Sequence, residues 1–151
     1  MAYELREGDY VVSDDPARLD IAYVHGFLTT SYWSLGIPRD VVARAIAGSL
    51  PFGLYDGTGA QAGFARVITD RATYAYVADV FVVEGSRGKG LGKLLMRAIM
   101  FHPDLQGLRR WSLATRDAHG LYQQFGFRAL AHPERFMEIA DPDVYRRKPP
   151  A

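Results

Sequence analysis

Between Val83 and Leu95 the chain reads VEGSRGKGLGKLL, with Gly85, Gly88, Gly90 and Gly92 interleaved with Arg87, Lys89 and Lys93. Glycines at this density let a backbone approach a ligand closely. Their N–H groups can converge on an anion, and a helix starting just after them adds the positive end of its dipole. The chemistry this favours is the cradling of a phosphate or pyrophosphate, with the three cations around it. Two common phosphate motifs do not fit. A P-loop needs Lys and then Ser or Thr after its last glycine, and Gly90 is followed by Leu91 and Gly92. The dinucleotide motif needs G-x-G-x-x-G, and after Gly88-Lys89-Gly90 the third glycine comes one residue early.

The surrounding elements are those that would position such a loop. Thr73–Val83, rich in Val, Tyr and Phe, reads as a long strand. Leu91, Leu94, Leu95, Ala98 and Ile99 repeat at helical spacing, and Pro103 lies just beyond them. Upstream, Tyr10–Ser13 reads as the first strand. Asp14-Asp15-Pro16 then starts a helix through Leu28, Thr29–Ile37 is a loop, and Pro38 opens a second helix. Phe52–Tyr55 and Gly63–Ile68 form a strand pair about Asp56-Gly57-Thr58-Gly59. Downstream come a short strand at Trp111–Ala114 and a short helix at Ala118–Phe125. Two final strands follow, at Phe127–Leu130 and Arg135–Ile139. The order predicts an α/β fold in one domain over 1–151, mostly antiparallel, with a strand–glycine loop–helix crossover at its centre.

Composition narrows the function classes. The chain has 151 residues and a formal net charge of +1, too balanced for a protein that neutralises a nucleic-acid backbone. It has no cysteine, which excludes disulfides, thiolate metal sites and a cysteine nucleophile. No metal site is expected. No apolar run has the length of a membrane span, and MAYELREGDY lacks the apolar core of a signal peptide. The expectation is a cytoplasmic protein without a membrane or nucleic-acid partner.

The glycine pattern that fits is [Arg/Gln]-x-x-Gly-x-[Gly/Ala], present as Arg87-Gly88-Lys89-Gly90-Leu91-Gly92. Val80-Phe81-Val82-Val83 precedes it, and Thr115-Arg116-Asp117, Tyr122 and Gly126-Phe127 follow. With these features the chain resembles the GNAT superfamily of N-acetyltransferases over about residues 73–127. Glu84 stands where many members carry Pro, and Asp117 where many carry Asn. The resemblance implies the GNAT fold, a mixed and mostly antiparallel central sheet flanked by helices. It also implies acetyl-CoA as cofactor and direct acetyl transfer to an amine, without an acyl-enzyme. The backbone of Phe81, Val82 and Val83 would meet the pantetheine arm. Arg87, Gly88, Lys89, Gly90, Leu91, Gly92 and Lys93 would hold the pyrophosphate, and Asp117 would lie at the cofactor.

By the same resemblance Tyr122 is the cofactor contact near sulfur and the proton donor to the departing thiolate. Asp79 matches a position that faces the acceptor in members acting on polyamines. Its expected work is binding an ammonium or relaying its proton; the other reading is a salt-bridged strand aspartate. Glu84, His25 and His119 rank below it as bases. Tyr32 and Trp33 are expected to wall the acceptor site, with Tyr76 and His25 beside them and Phe136-Met137 closing it. The acceptor would be a small-molecule or peptide amine, and many relatives form homodimers through their C-terminal strands. A second function class stays open, a non-catalytic acetyl-CoA-binding sensor or interaction module.

Overall fold

The structure, a computed structural model, describes residues 2–147. Its sheet runs in chain order: β1 (Glu4–Glu7), β2 (Tyr10–Ser13), β3 (Leu50–Tyr55), β4 (Gln61–Thr69), β5 (Tyr74–Val82) and β6 (Arg110–Leu113). All neighbours are antiparallel except β5 and β6, which are parallel and joined through the crossover. This is the mixed, mostly antiparallel α/β architecture that the sequence predicts. Helix α3 (Leu91–Met100) covers one face and buries Leu91, Leu94, Leu95, Met96, Ala98 and Ile99 against it. Helices α1 (Ile21–Leu28) and α2 (Arg39–Ala47) cover part of the other face. There Val24, Leu28, Val42 and Ile46 pack on Phe64 and Phe81. The short α4 (His119–Gln123) packs beside α3. Among the described residues no helix is long and apolar enough to cross a membrane.

Three expectations change. The helix read from Asp14 to Leu28 is two elements, a 3-10 turn over Pro16–Arg18 and then α1. Each has its own cap: Asp15 accepts from the Ala17 N–H and Asp20 from the Tyr23 N–H, so the chain restarts at the second aspartate. A strand unread in the sequence, β1, pairs with β2 across Gly8, whose φ of 59° suits the tight turn. The two final strands do not form. Phe127–Leu130 and Arg135–Ile139 are irregular, with a 3-10 turn at Pro133–Arg135. Phe136, Met137 and Ile139 find no face to bury against and stay exposed. Met137 is 98% exposed, and β6 keeps an open edge where those strands were expected.

A buried pair ties α3 to the N-terminal hairpin. His102 Nε2–H donates to Asp14 Oδ2 at 2.8 Å, while His102 Nδ1 accepts the Asp104 N–H and Asp14 Oδ1 accepts the Tyr3 N–H. The imidazole lies edge-on to Tyr3 and Phe52 and is 2% exposed. His102→Ala opens a cavity and strands a carboxylate oxygen. It should lower unfolding free energy by about 3 kcal/mol in urea denaturation. A loss below about 1 kcal/mol would show that the pair contributes little.

Candidate active site

The site begins at an irregularity in β5. Phe64 pairs with Phe81 and Arg66 with Ala78, so Ala65 faces two residues, Asp79 and Val80. The extra residue makes a β-bulge, and Asp79 takes a φ of 56°, in the left-handed region that a non-glycine residue enters at a cost. The bulge reverses the alternation of the strand. Ala75 and Val77 face α3, yet Phe81 faces α1 and α2 and stacks on Phe27 at 3.8 Å. Pairing of β5 with β6 ends at Val77–Leu113, so Ala78–Val82 has no strand on that side. Val83 N–H bonds back to Ala62 at 2.9 Å. Strand alternation therefore turns the N–H group of Val82 into the opening between β5 and β6.

The glycine loop lies at the end of this opening. Gly88 and Gly90 have φ of 82° and 75°, and a Cβ at either would meet nothing within 4 Å. Their role is conformational, together with leaving the space before α3 empty. Gly92 differs: a Cβ there would lie 3.4 Å from Leu121, an ordinary contact with the tip of a side chain on α4. Gly90 caps α3 without a side chain, and the first intrahelical bond of its ladder is Leu94 N–H to Gly90. The N–H groups of Leu91, Gly92 and Lys93 thus point out of the helix end as unpaired donors. Arg87 donates Nε–H to the Val82 carbonyl at 3.0 Å, which anchors the loop to β5 and leaves the rest of the guanidinium for an anion. Lys89 reaches back to the Tyr10 hydroxyl at 3.4 Å, and Lys93 is exposed. These donors and cations fit the pyrophosphate of a CoA thioester, and the unpaired stretch of β5 fits its amide-bearing arm.

Beyond the opening lies a cavity of about 580 Å³. Its floor is the part of the sheet that α1 and α2 leave uncovered, with Arg66, Ile68 and Tyr76. Tyr32 and Trp33 form the roof, and Tyr122 stands at the inner end. Tyr122 is 9% exposed, and burial, reinforced by nearby Tyr32 and Asp117, pushes its hydroxyl up to about 12. It also lines a second cavity of about 390 Å³ against the open side of β6, together with Trp111, His119 and Phe127. Burial raises the Tyr76 hydroxyl too, with smaller contributions from Tyr74 and Asp79.

Asp79 has both carboxylate oxygens engaged. Trp33 Nε1–H donates to Oδ1 at 2.9 Å and Arg66 Nε–H to Oδ2 at 2.9 Å, while Arg66 also donates to Ser49 Oγ at 2.9 Å. The roof is tied on its other side as well. Tyr32's hydroxyl accepts the Arg116 N–H at 3.1 Å, and the Arg116 guanidinium lies over the Tyr32 ring at 3.8 Å. The Tyr32-Trp33 loop therefore bridges the β5 bulge and the loop after β6.

Tyr32, Trp33, Tyr76, Asp79, Asp117 and Tyr122 all line the one cavity. His25 does not: its Nε2–H donates to the Ile37 carbonyl at 3.0 Å and fixes the roof loop from behind. Glu84 is exposed in a 3-10 turn before the glycines. Phe136 lies under the Arg110 guanidinium at 4.8 Å, away from the cavity that it was expected to close. Sequence reasoning missed Arg66 and Arg116. Arg66 had a signal, being the one charged residue within the apolar run Gln61–Thr69. Arg116 had none beyond its place beside Asp117.

Comparison with known proteins agrees with this geometry. A family model described as an acetyltransferase (GNAT) domain matches residues 48–129. A curated protein of Gibberella zeae that carries an acetyltransferase name is 33% identical to this chain over 76% of each. A crystal structure from Xanthomonas campestris pv. campestris, whose name places it in the GNAT family, is 48% identical. It covers 94% of this chain and 100% of its own, with a TM-score of 0.90. A structure from Deinococcus radiodurans R1, also named as an acetyltransferase, shares the fold at TM-score 0.72 and 20% identity. It covers 98% of this chain and all of its own.

Proposed function

The chain belongs to the GNAT family of acetyltransferases, and on that footing we propose that it transfers an acetyl group from acetyl-CoA directly to the nitrogen of a primary amine. One observation carries the reading. The unpaired stretch of β5 leads along the chain into the glycine loop and the unpaired donors of α3, and its residues Ala78, Asp79 and Val80 line the aromatic cavity together with Tyr122. Acetyl-CoA supplies the activated acyl group and a thiolate as leaving group. Arg87, Lys89, Lys93 and the N–H groups at the start of α3 bind the phosphates. The N–H group of Val82 orients the arm and polarises a carbonyl presented to it. Asp117 stands beside Tyr122 at the cofactor end. The absence of cysteine agrees with direct transfer, since no thiol is available to carry the acyl group.

The role assigned to Tyr122 is a hydrogen bond to the departing sulfur. A free thiol titrates near ~8.5, so complete proton transfer from a phenol at about 12 would be uphill by about 5 kcal/mol. The hydrogen bond strengthens as charge builds on sulfur and needs no full transfer. Asp79 is assigned to positioning: with Arg66 and Trp33 on its two oxygens, it fixes the bulge that precedes Val82.

The test is release of CoA thiol from acetyl-CoA across a panel of amines, read with a thiol-reactive dye that the cysteine-free protein cannot consume. Release above the acceptor-free control is expected. Acetyl-CoA binding without release for any amine would favour a cofactor-binding module instead.

A further inference from the structure

Resting on the acetyl-transfer reading, we propose that the acceptor is a small arylalkyl amine, in which one primary amine is carried on an aromatic body with no second cation. The walls argue for an aromatic body. Trp33 is 42% exposed and meets Tyr32 edge-on at 5.1 Å, and opposite them Tyr76 and Ile68 form a flat apolar floor. A ring entering between roof and floor would cover side chains that now face water, with stacking and edge contacts on both sides.

Charge argues against a second cation. Among the described residues, the carboxylate deep in the cavity is that of Asp79, and it is already paired. Its side chain is 12% exposed and that of Arg66 16%, so a polyamine ammonium would have to displace a largely buried guanidinium. Arg116 adds a further positive charge at the roof. The other carboxylates near this space, Asp117 lining its edge and Glu138 near enough to Tyr76 to raise its hydroxyl, belong to exposed residues in solvent.

Polar supply argues against a sugar or polyol. The Ser34 hydroxyl donates inward to the Leu28 carbonyl, and the Thr115 hydroxyl accepts the Ala118 N–H. The hydroxyls that remain, on Tyr32, Tyr76, Tyr122 and Tyr145, are phenols on apolar rings, and among the described lining residues no amide side chain joins them to match the several groups of a sugar, each of which would lose its water on entry.

The experiment measures kcat/KM for CoA release with 2-phenylethylamine and tryptamine against putrescine, spermidine and glucosamine. Acetyl-CoA binding is measured separately by calorimetry. The arylalkyl amines are expected to exceed the others by about 100-fold, the scale of discrimination by a fitted apolar pocket. Trp33→Phe, which keeps a ring but loses the Nε1–H bond to Asp79, should keep that preference, while Trp33→Ala should raise KM for the aryl amines about tenfold over Trp33→Phe, a comparison in which the lost Asp79 bond cancels. Better turnover of a polyamine or amino sugar overturns the proposal and leaves acetyl transfer standing. So does a Trp33→Ala enzyme with the aryl-amine KM of Trp33→Phe. Failure to bind acetyl-CoA, or to acetylate any amine on the panel, overturns both.

Discussion

Tyr122→Phe should lower kcat by about 10²- to 10³-fold, the scale seen when one donor to a developing anion is removed. The dissociation constant of acetyl-CoA should stay within about twofold, because the proposed phosphate contacts are in the glycine loop, away from Tyr122. The ring itself packs edge-on to Phe127 at 6.1 Å, and Phe preserves that packing, so the variant should fold as the parent does. Single-turnover kinetics with calorimetry check both halves. A fully active Tyr122→Phe enzyme would remove the hydroxyl from the mechanism. The pH profile follows from the same environment. Burial raises the Tyr122 hydroxyl from 10 to about 12, so the donor form persists to a higher pH than for a free tyrosine. Its ionisation therefore gives no alkaline fall in activity below about pH 11. Asp79 is occupied by Trp33 and Arg66, so the amine must reach the site already neutral. An alkyl ammonium titrates near ~10.4, and kcat/KM should climb about tenfold per pH unit below that value. A plateau from about pH 6 to 9 would show instead that a group on the protein takes the proton, and would return Asp79 to the role of base.

The parts of the site that were legible in the sequence are local. The glycines between Arg87 and Lys93 carry their constraint in their own backbone, and the helical spacing from Leu91 to Ile99 fixes where the helix begins. Tyr122 was found by its place before Gly126-Phe127. The triad of Trp33, Arg66 and Asp79 was not legible, because it joins three elements far apart in the chain. The bulge was hidden for another reason. An aspartate in the left-handed region carries no mark that glycine would have given, so the reversal of faces between Val77 and Phe81 could not be read. The last strands failed in the opposite sense. Phe136, Met137 and Ile139 give Arg135–Ile139 the composition of a strand, but composition supplies no surface to bury it against. Aspartates misled twice at once near the N-terminus, since Asp15 and Asp20 both cap and only the second begins an α-helix.

Gly90→Val should weaken CoA binding about 100-fold while α3 stays helical by circular dichroism. Gly90 sits at φ 75° as the cap of α3, and a Cβ there would touch nothing in the protein within 4 Å. Steric conflict with a neighbour is therefore absent, and the effect must come through the backbone or through the space reserved for the anion. A β-branched residue resists the left-handed region by about 1–2 kcal/mol. When the chain relaxes from it, the N–H groups of Leu91, Gly92 and Lys93 swing away from a common point. Hydrogen bonds to a charged group contribute about 1.5–3 kcal/mol each, so losing the alignment of even one or two accounts for the expected factor. Gly90→Asn separates the two causes, because asparagine tolerates φ near 75° yet fills the space that glycine leaves open. If Asn retains most of the affinity, glycine is there for conformation. If Asn loses as much as Val, it is there for the close approach of the phosphate. Unchanged binding in both variants would mean that the anion is held elsewhere, and the functional reading of the loop would fall with it.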